Sequence, residues 1–170
     1  MTIARSAVLV AALALCAAPA LAQQKQKLAF KVDAGDTKYL QRHMIEVGDQ
    51  PGHTLGAFEI HRTFGANAPS IGGLKIKESF TRGYNDYFDY SGLSVNYTIY
   101  VMENGDKFFT HSNTMGQAEG GRRNTSGVGY VRGGTGKLAG MKGTVRSKGV
   151  SEGAKGYNST ESEIEYWFEK

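Results

Sequence analysis

Along most of this chain, apolar and polar residues alternate one for one, and glycine-rich clusters interrupt the alternation. Successive side chains on a strand point to opposite faces, so the pattern predicts strands buried on one side. It runs through residues 28–32, 39–47, 53–64, 74–84, 93–103, 107–115, 127–132, 143–150 and 160–169. No segment sustains the apolar period of a helix. Asn104-Gly105 predicts a tight hairpin, because both positions tolerate positive φ. Gly48-Asp49-Gln50-Pro51-Gly52 and Gly65-Ala66-Asn67-Ala68-Pro69 predict turns, and residues 86–92 an aromatic, acidic connection. The expected fold class is all-β: a closed antiparallel β-barrel of roughly eight strands, closed by the long terminal strand.

Two strands carry most of the prediction. In residues 74–84, Leu74, Ile76, Glu78, Phe80, Arg82 and Tyr84 share one face, and Lys75, Lys77, Ser79 and Thr81 the other. The first set is expected to face a hollow centre and the second to face water. Residues 93–103 are apolar on both faces, with Leu93, Val95, Tyr97, Ile99 and Val101 opposite Tyr100 and Met102. A monomer would expose one of those rows, so an oligomer is expected, with a homotrimer as its form.

The leader changes the compartment. Residues 1–22 join a short basic start, an apolar run and Ala20-Leu21-Ala22, the signature of a cleaved signal peptide. The run is too short to span a bilayer. Residues 23–170 are therefore expected to form one domain, periplasmic or extracellular, and the Ala-rich leader points to a bacterial source. The single cysteine, Cys16, falls inside the leader, so the mature chain has no disulfide and no structural thiolate metal site. Leu15 before Cys16 favours ordinary cleavage over lipidation. The sequons at Asn96, Asn124 and Asn158 are read as chance in a strand-rich chain.

Charge adds little. The net charge of +4 is scattered, and the basic residues from Arg122 to Lys148 are diluted by glycine. They lack the interleaved aromatics of a nucleic-acid groove, so no nucleic-acid partner is expected.

The candidate chemistry is sparse. Glu78 and Arg82, charges on an otherwise apolar face, must be paired or functional there. Functionally, Glu78 would be an acid or base and Arg82 an anion binder. Structurally, they would form a cross-strand pair. His43, His53, His61 and His111 form no short chelating motif, and no metal or cofactor is expected. Nine tyrosines suit either a cavity wall or ordinary strands. A Gly-x-Ser-x-Gly elbow is missing, which argues against a serine hydrolase. Gly136-Lys137 precedes Leu138 rather than Ser or Thr, so the glycines are not a phosphate loop.

The run Tyr130-Val131-Arg132-Gly133-Gly134-Thr135-Gly136-Lys137-Leu138-Ala139-Gly140-Met141-Lys142-Gly143 resembles a glycine-rich stretch of the allene oxide cyclase and dirigent barrel superfamily. Residues 103–109 and Glu46-Val47-Gly48-Asp49 resemble its hairpin and the start of its barrel. The resemblance implies a small barrel with an apolar cavity, often trimeric. Cyclase members isomerise an unstable fatty-acid epoxide. Dirigent members steer phenoxy-radical coupling or open quinone methides. Glu46 matches the cyclase glutamate, while Gly48 replaces the asparagine expected two residues later.

The expected function is binding of a small apolar or aromatic molecule. Phe58, Phe80, Tyr84 and Tyr166 are the candidate contact rings. One alternative is cofactor-free isomerase, cyclase or lyase chemistry by Glu46, Glu78, Arg82 and Tyr97. The other is a structural envelope protein with a filled barrel.

Overall fold

The computed structural model describes residues 24–169. The leader, its cleavage site and Cys16 lie outside them. Ten strands form, joined by hairpins and three single-turn 3-10 segments. They are β1 (Gln26–Val32), β2 (Thr37–Glu46), β3 (His53–Thr63), β4 (Ser70–Ile71), β5 (Leu74–Phe88), β6 (Ser91–Met102), β7 (Lys107–Glu119), β8 (Arg122–Gly134), β9 (Met141–Glu152) and β10 (Tyr157–Phe168). The fold is all-β and every pairing is antiparallel.

The hydrogen-bonded path runs β1-β10-β9-β8-β7-β6-β5-β3-β2, with β4 attached to β5. As expected, β10 pairs with the first strand. The ladder does not continue from β1 to β2, so the closed eight-stranded barrel is corrected to a curled ten-stranded sheet with a seam. Side chains span that seam in place of a ladder. Arg62 on β3 donates to Asn158 and Thr160 on β10, each at 3.4 Å. Asn158 in turn donates to the Tyr39 hydroxyl on β2 at 2.8 Å. Beyond this point β2 is an edge strand, exposed almost throughout.

The interior has two unlike ends. One end is packed with Ile71, Ile76, Met102, Phe108, Leu138, Met141, Ile164 and Tyr166, among others. Each of these large side chains contributes about 1.5–3 kcal/mol by leaving water. Tyr100 stacks on Phe108 with centroids 4.3 Å apart, and Phe30 meets Tyr100 and Phe64 edge-on. Toward the other end the inward residues become small and polar, and the filling stops.

A bulge in β5 sets this arrangement. Ile76 pairs with Met102, yet Glu78 pairs with Val101, so two residues of β5 advance against one of β6. Lys77 and Glu78 both point outward, and the facing of everything after them reverses relative to strict alternation. Leu74 and Ile76 are buried as expected. Glu78, Phe80, Arg82 and Tyr84 are on the outer face, and Ser79, Thr81, Asn85 and Tyr87 face inward.

The segment expected to be an irregular connection is also a continuous hairpin. Strand β5 extends to Phe88 and β6 starts at Ser91. Asp89 and Tyr90 make the two-residue turn with φ of 46° and 65°. Both positions of such a turn require positive φ. The Asn104-Gly105 hairpin forms as expected, with Gly105 at φ 89° and the Asn104 side-chain oxygen Oδ1 accepting from the Asp106 amide.

A histidine clamp holds the β2–β3 hairpin against β5. His53 Nδ1 lies 2.7 Å from Asp49 and Nε2 lies 2.9 Å from Asp86. Hydrogen bonding to Asp86, then to Asp49, raises the His53 pKa. A raised folded-state pKa adds stability that is complete below the unfolded value of about 6.5. That contribution is lost as pH climbs through the folded value. Melting scans from pH 6 to pH 9 (on the order of the His range) are expected to show wild-type Tm falling more than that of His53→Gln. Parallel curves would exclude the clamp.

Candidate functional site

The unfilled end of the interior is a hollow of about 490 Å³. The described strands contribute to it from both sides of the seam, β1 and β10 as well as β2 and β3. Asp89, Tyr90, Glu119, Gly120 and Gly121 also line it, so it reaches the end of the sheet formed by the β5–β6 and β7–β8 turns. Its volume is within the range of small-molecule sites.

Its wall is built from short side chains. Ser79, Thr81 and Asn85 come from β5, Ser94, Asn96 and Thr98 from β6, and Thr110, Ser112 and Thr114 from β7. They satisfy one another across strands. Thr81 and Thr98 hydroxyls lie 2.9 Å apart, and the Asn96 amide donates to Thr114 at 3.0 Å. The Asn85 side-chain oxygen is buried without a partner among the described residues. Where the hollow meets the packed end, Phe30, Phe58, Ile60, Phe64, Tyr100 and Val145 give an apolar floor. Burial pushes the Tyr100 phenol up to about 12, so it stays protonated at neutral pH.

Guanidinium groups are the unexpected feature. Arg42, Arg62, Arg122 and Arg123 line the hollow. Among the described residues Arg62 donates only to uncharged acceptors, Thr81, Asn158 and Thr160, at 3.3–3.4 Å. Arg123 lies over the Tyr87 ring at 4.2 Å and donates to the Gly92 carbonyl at 3.2 Å. The Nε of each is buried and unpartnered among the described residues. Desolvation lowers the pKa of both.

The residues nominated from sequence are mostly elsewhere. Phe58 lines the hollow. Tyr166 is buried in the packed end, its hydroxyl donating to Gln26 at 2.8 Å. Phe80 stacks on His61 outside the sheet, at 4.6 Å. Tyr84 is an exposed outer residue. Glu78 meets His61 at 2.9 Å and Arg82 meets Glu59 at 2.6 Å. The Glu78–Arg82 pair expected from spacing is therefore replaced by two separate cross-strand pairs. Tyr97 stacks on His111 on the outer face. Glu46 ends β2, exposed, and does not line the hollow. The bulge explains the β5 residues, and Tyr97 follows from its parity opposite Tyr100. Sequence reasoning missed Arg62 and Arg123. The signal available was their alternation with Phe58, Ile60 and Phe64 on β3, and with Thr125 on β8.

Among solved structures, the chain is similar to that of the pterocarpan synthase dirigent protein GePTS1. The likeness covers 87% of this chain and 90% of that one, with a TM-score of 0.50 and 17% sequence identity. The fold is dirigent-like. No family model matches the chain, and no curated protein matches it. At this identity the likeness concerns backbone architecture, so residue roles in the dirigent-like sheet rest on its own geometry.

Proposed function

We propose that this dirigent-like protein is secreted and holds one small, largely apolar or aromatic molecule in its hollow. The observation that carries the reading is the division of the interior. A chain able to pack Phe108 and its neighbours completely leaves about 490 Å³ unfilled a few residues away. A filled, purely structural barrel would continue the packing, since interiors are normally close-packed. The hollow also has the usual make-up of a ligand site, an apolar floor with a few polar groups above it. The fold shared with a dirigent protein described as a pterocarpan synthase supports a small-molecule guest. Glu46, Glu78, Arg82 and Tyr97 stand apart from the hollow, so binding is preferred over cyclase, isomerase or lyase chemistry by those four.

The test is retention. The protein is incubated with a metabolite extract, washed and denatured, and the released molecules are identified by mass spectrometry. One compound is expected at a near-stoichiometric level. Ser112→Trp, which projects a large ring into the hollow, is expected to abolish retention while leaving the strand circular dichroism unchanged. Equal retention by that variant would sink the reading.

We also propose that the outer face of β5 to β8 joins copies of the chain, as a homotrimer. Leu93, Tyr97, Met115, Val128 and Tyr130 are exposed there, all outward on adjacent strands. The outer face of β9 and β10 instead sets opposite charges side by side, Glu161 in register with Lys148 and Glu163 with Arg146. Isolated exposed apolar residues are ordinary, but a contiguous band signals an interface. Sedimentation is expected to give the trimer mass for wild type and the monomer mass for Val128→Lys. A monomeric wild type would rule the interface out.

A further inference from the structure

We propose that the guest of this hollow is an anion, an apolar or aromatic body bearing a carboxylate, with the carboxylate held by Arg62. This rests on the hollow being a binding site and adds the charge of what binds. Four guanidinium groups line the hollow, Arg42, Arg62, Arg122 and Arg123, against two carboxylates, Asp89 and Glu119. The difference is an excess of two positive charges. Both carboxylates belong to exposed residues at the turn end, and Glu119 pairs in register with Arg122. The deeper cations have no carboxylate partner among the described residues.

Arg62 is the sharper case. A buried charge is costly unless paired, and natural proteins rarely leave one with only neutral acceptors. The Arg62 bonds to Thr81, Asn158 and Thr160 are long, 3.3–3.4 Å, and are readily exchanged for shorter charge-assisted bonds. Arg123 lies on the same side of the sheet in register, Arg123 opposite Ser151 and Ser151 opposite Asn158. Strands are spaced about 4.8 Å apart, so Arg123 stands roughly two strand spacings from the residue that Arg62 touches. The Arg62 guanidinium reaches Asn158, whereas that of Arg123 turns toward the Tyr87 ring and the Gly92 carbonyl, so a carboxylate beside Asn158 would be neutralised by Arg62, with Arg123 adding a more distant positive charge to the same wall. The floor of Phe30, Phe58, Phe64 and Tyr100 would take the apolar body.

Seam bridging alone explains Arg62 poorly. A neutral glutamine could tie β3 to Asn158 at lower desolvation cost, and a structural cation would be paired with one of the acidic residues that β10 carries in abundance. Those residues, Glu161, Glu163 and Glu165, all face outward instead.

The experiment compares acids with neutral analogues of the same body. Cinnamate is titrated against cinnamyl alcohol and decanoate against decanol, by calorimetry and by NMR shifts of hollow-wall residues. Each acid is expected to bind at least about tenfold more tightly than its alcohol, the ratio a charge-assisted hydrogen bond supplies. In Arg62→Met that ratio is expected to fall to near one through loss of acid affinity, and in Arg123→Met, which removes the more distant positive charge, it is expected to fall less. Wild type alone gives an independent readout. Acid affinity should collapse as pH falls through the ligand's own carboxyl pKa, about 4–5, while alcohol affinity holds. This arm survives if a variant fails to fold.

Alcohols binding as tightly as acids would overturn the anionic guest and leave the binding reading intact. So would a neutral molecule retained from extract while both acids fail. If no probe binds and nothing is retained, both readings fall together. A lower Tm in Arg62→Met with an undiminished preference for acids would make Arg62 a structural strut and overturn its assignment.

Discussion

Phe108→Ala is expected to lower the unfolding free energy by about 3–5 kcal/mol, the range for deleting a buried phenyl ring. Phe108 is fully buried, and its ring is stacked on Tyr100 with planes 3° apart. It pairs with Tyr100 on one side and Gly134 on the other, so removing the ring takes the centre out of the packed end. The neighbours cannot collapse far. Ile76, Met102, Leu138 and Met141 are themselves fully enclosed. The cavity would remain and add to the lost transfer energy. Chemical denaturation is the measurement, with wild type and variant compared at unchanged m-value. A loss below about 1 kcal/mol would show that the packed end relaxes, against the close packing argued for it.

Gly129→Val is expected to yield no folded protein, and Gly129→Ala to cost at least about 1–3 kcal/mol as overpacking. Gly129 faces inward on β8, between Ser112 of β7 and Val145 of β9. A Cβ there would sit 2.2 Å from the His111 carbonyl oxygen and 2.6 Å from the Ser112 Cβ. The first contact is backbone, so no side-chain rotation relieves it. The β7–β8 ladder would have to open there. Soluble yield and far-ultraviolet circular dichroism check this. A folded Val variant with a cooperative melt would show that the approach at β8 is looser than these distances.

These two positions also show what could be read from the chain. The strands were legible because hydrophobic alternation and turn glycines are local signals, and β3, β6, β7 and β10 fall close to where those signals put them. The facing of β10 was legible too, since Ile164, Tyr166 and Phe168 alternate with glutamates and one face is plainly polar. The facing of β5 was not. Its rule, apolar inward, holds where the interior is packed and inverts where the interior is a polar-walled hollow. Leu74 and Ile76 obey it, then Ser79, Thr81 and Asn85 face inward while Phe80 and Tyr84 face out. A bulge of one residue makes that inversion, and nothing in the run Ile76-Lys77-Glu78-Ser79 announces it.

The candidate site suffered twice from the same cause. Glu78 and Arg82 were picked because they interrupted an apolar face taken as interior, and that face is the outside. Arg62 was not singled out, although it sits at the same parity as Phe58 and Ile60. Its burial depends on β10 lying across the seam, a contact 96 residues distant in sequence. Closure was equally illegible, because whether β1 and β2 pair is decided by how far the whole sheet curls, not by either strand's composition.

Separating a packed floor from a hollow upper chamber gives this molecule two nearly independent sets of residues under selection. Changes among the short hydroxyl side chains of the chamber would retune which guest fits while scarcely touching the melting temperature. Changes around Phe108 would do the reverse. Descendants of one such ancestor can therefore drift apart in chemistry while their backbones stay superimposable, and a scaffold of this kind invites redesign from its upper rim downward.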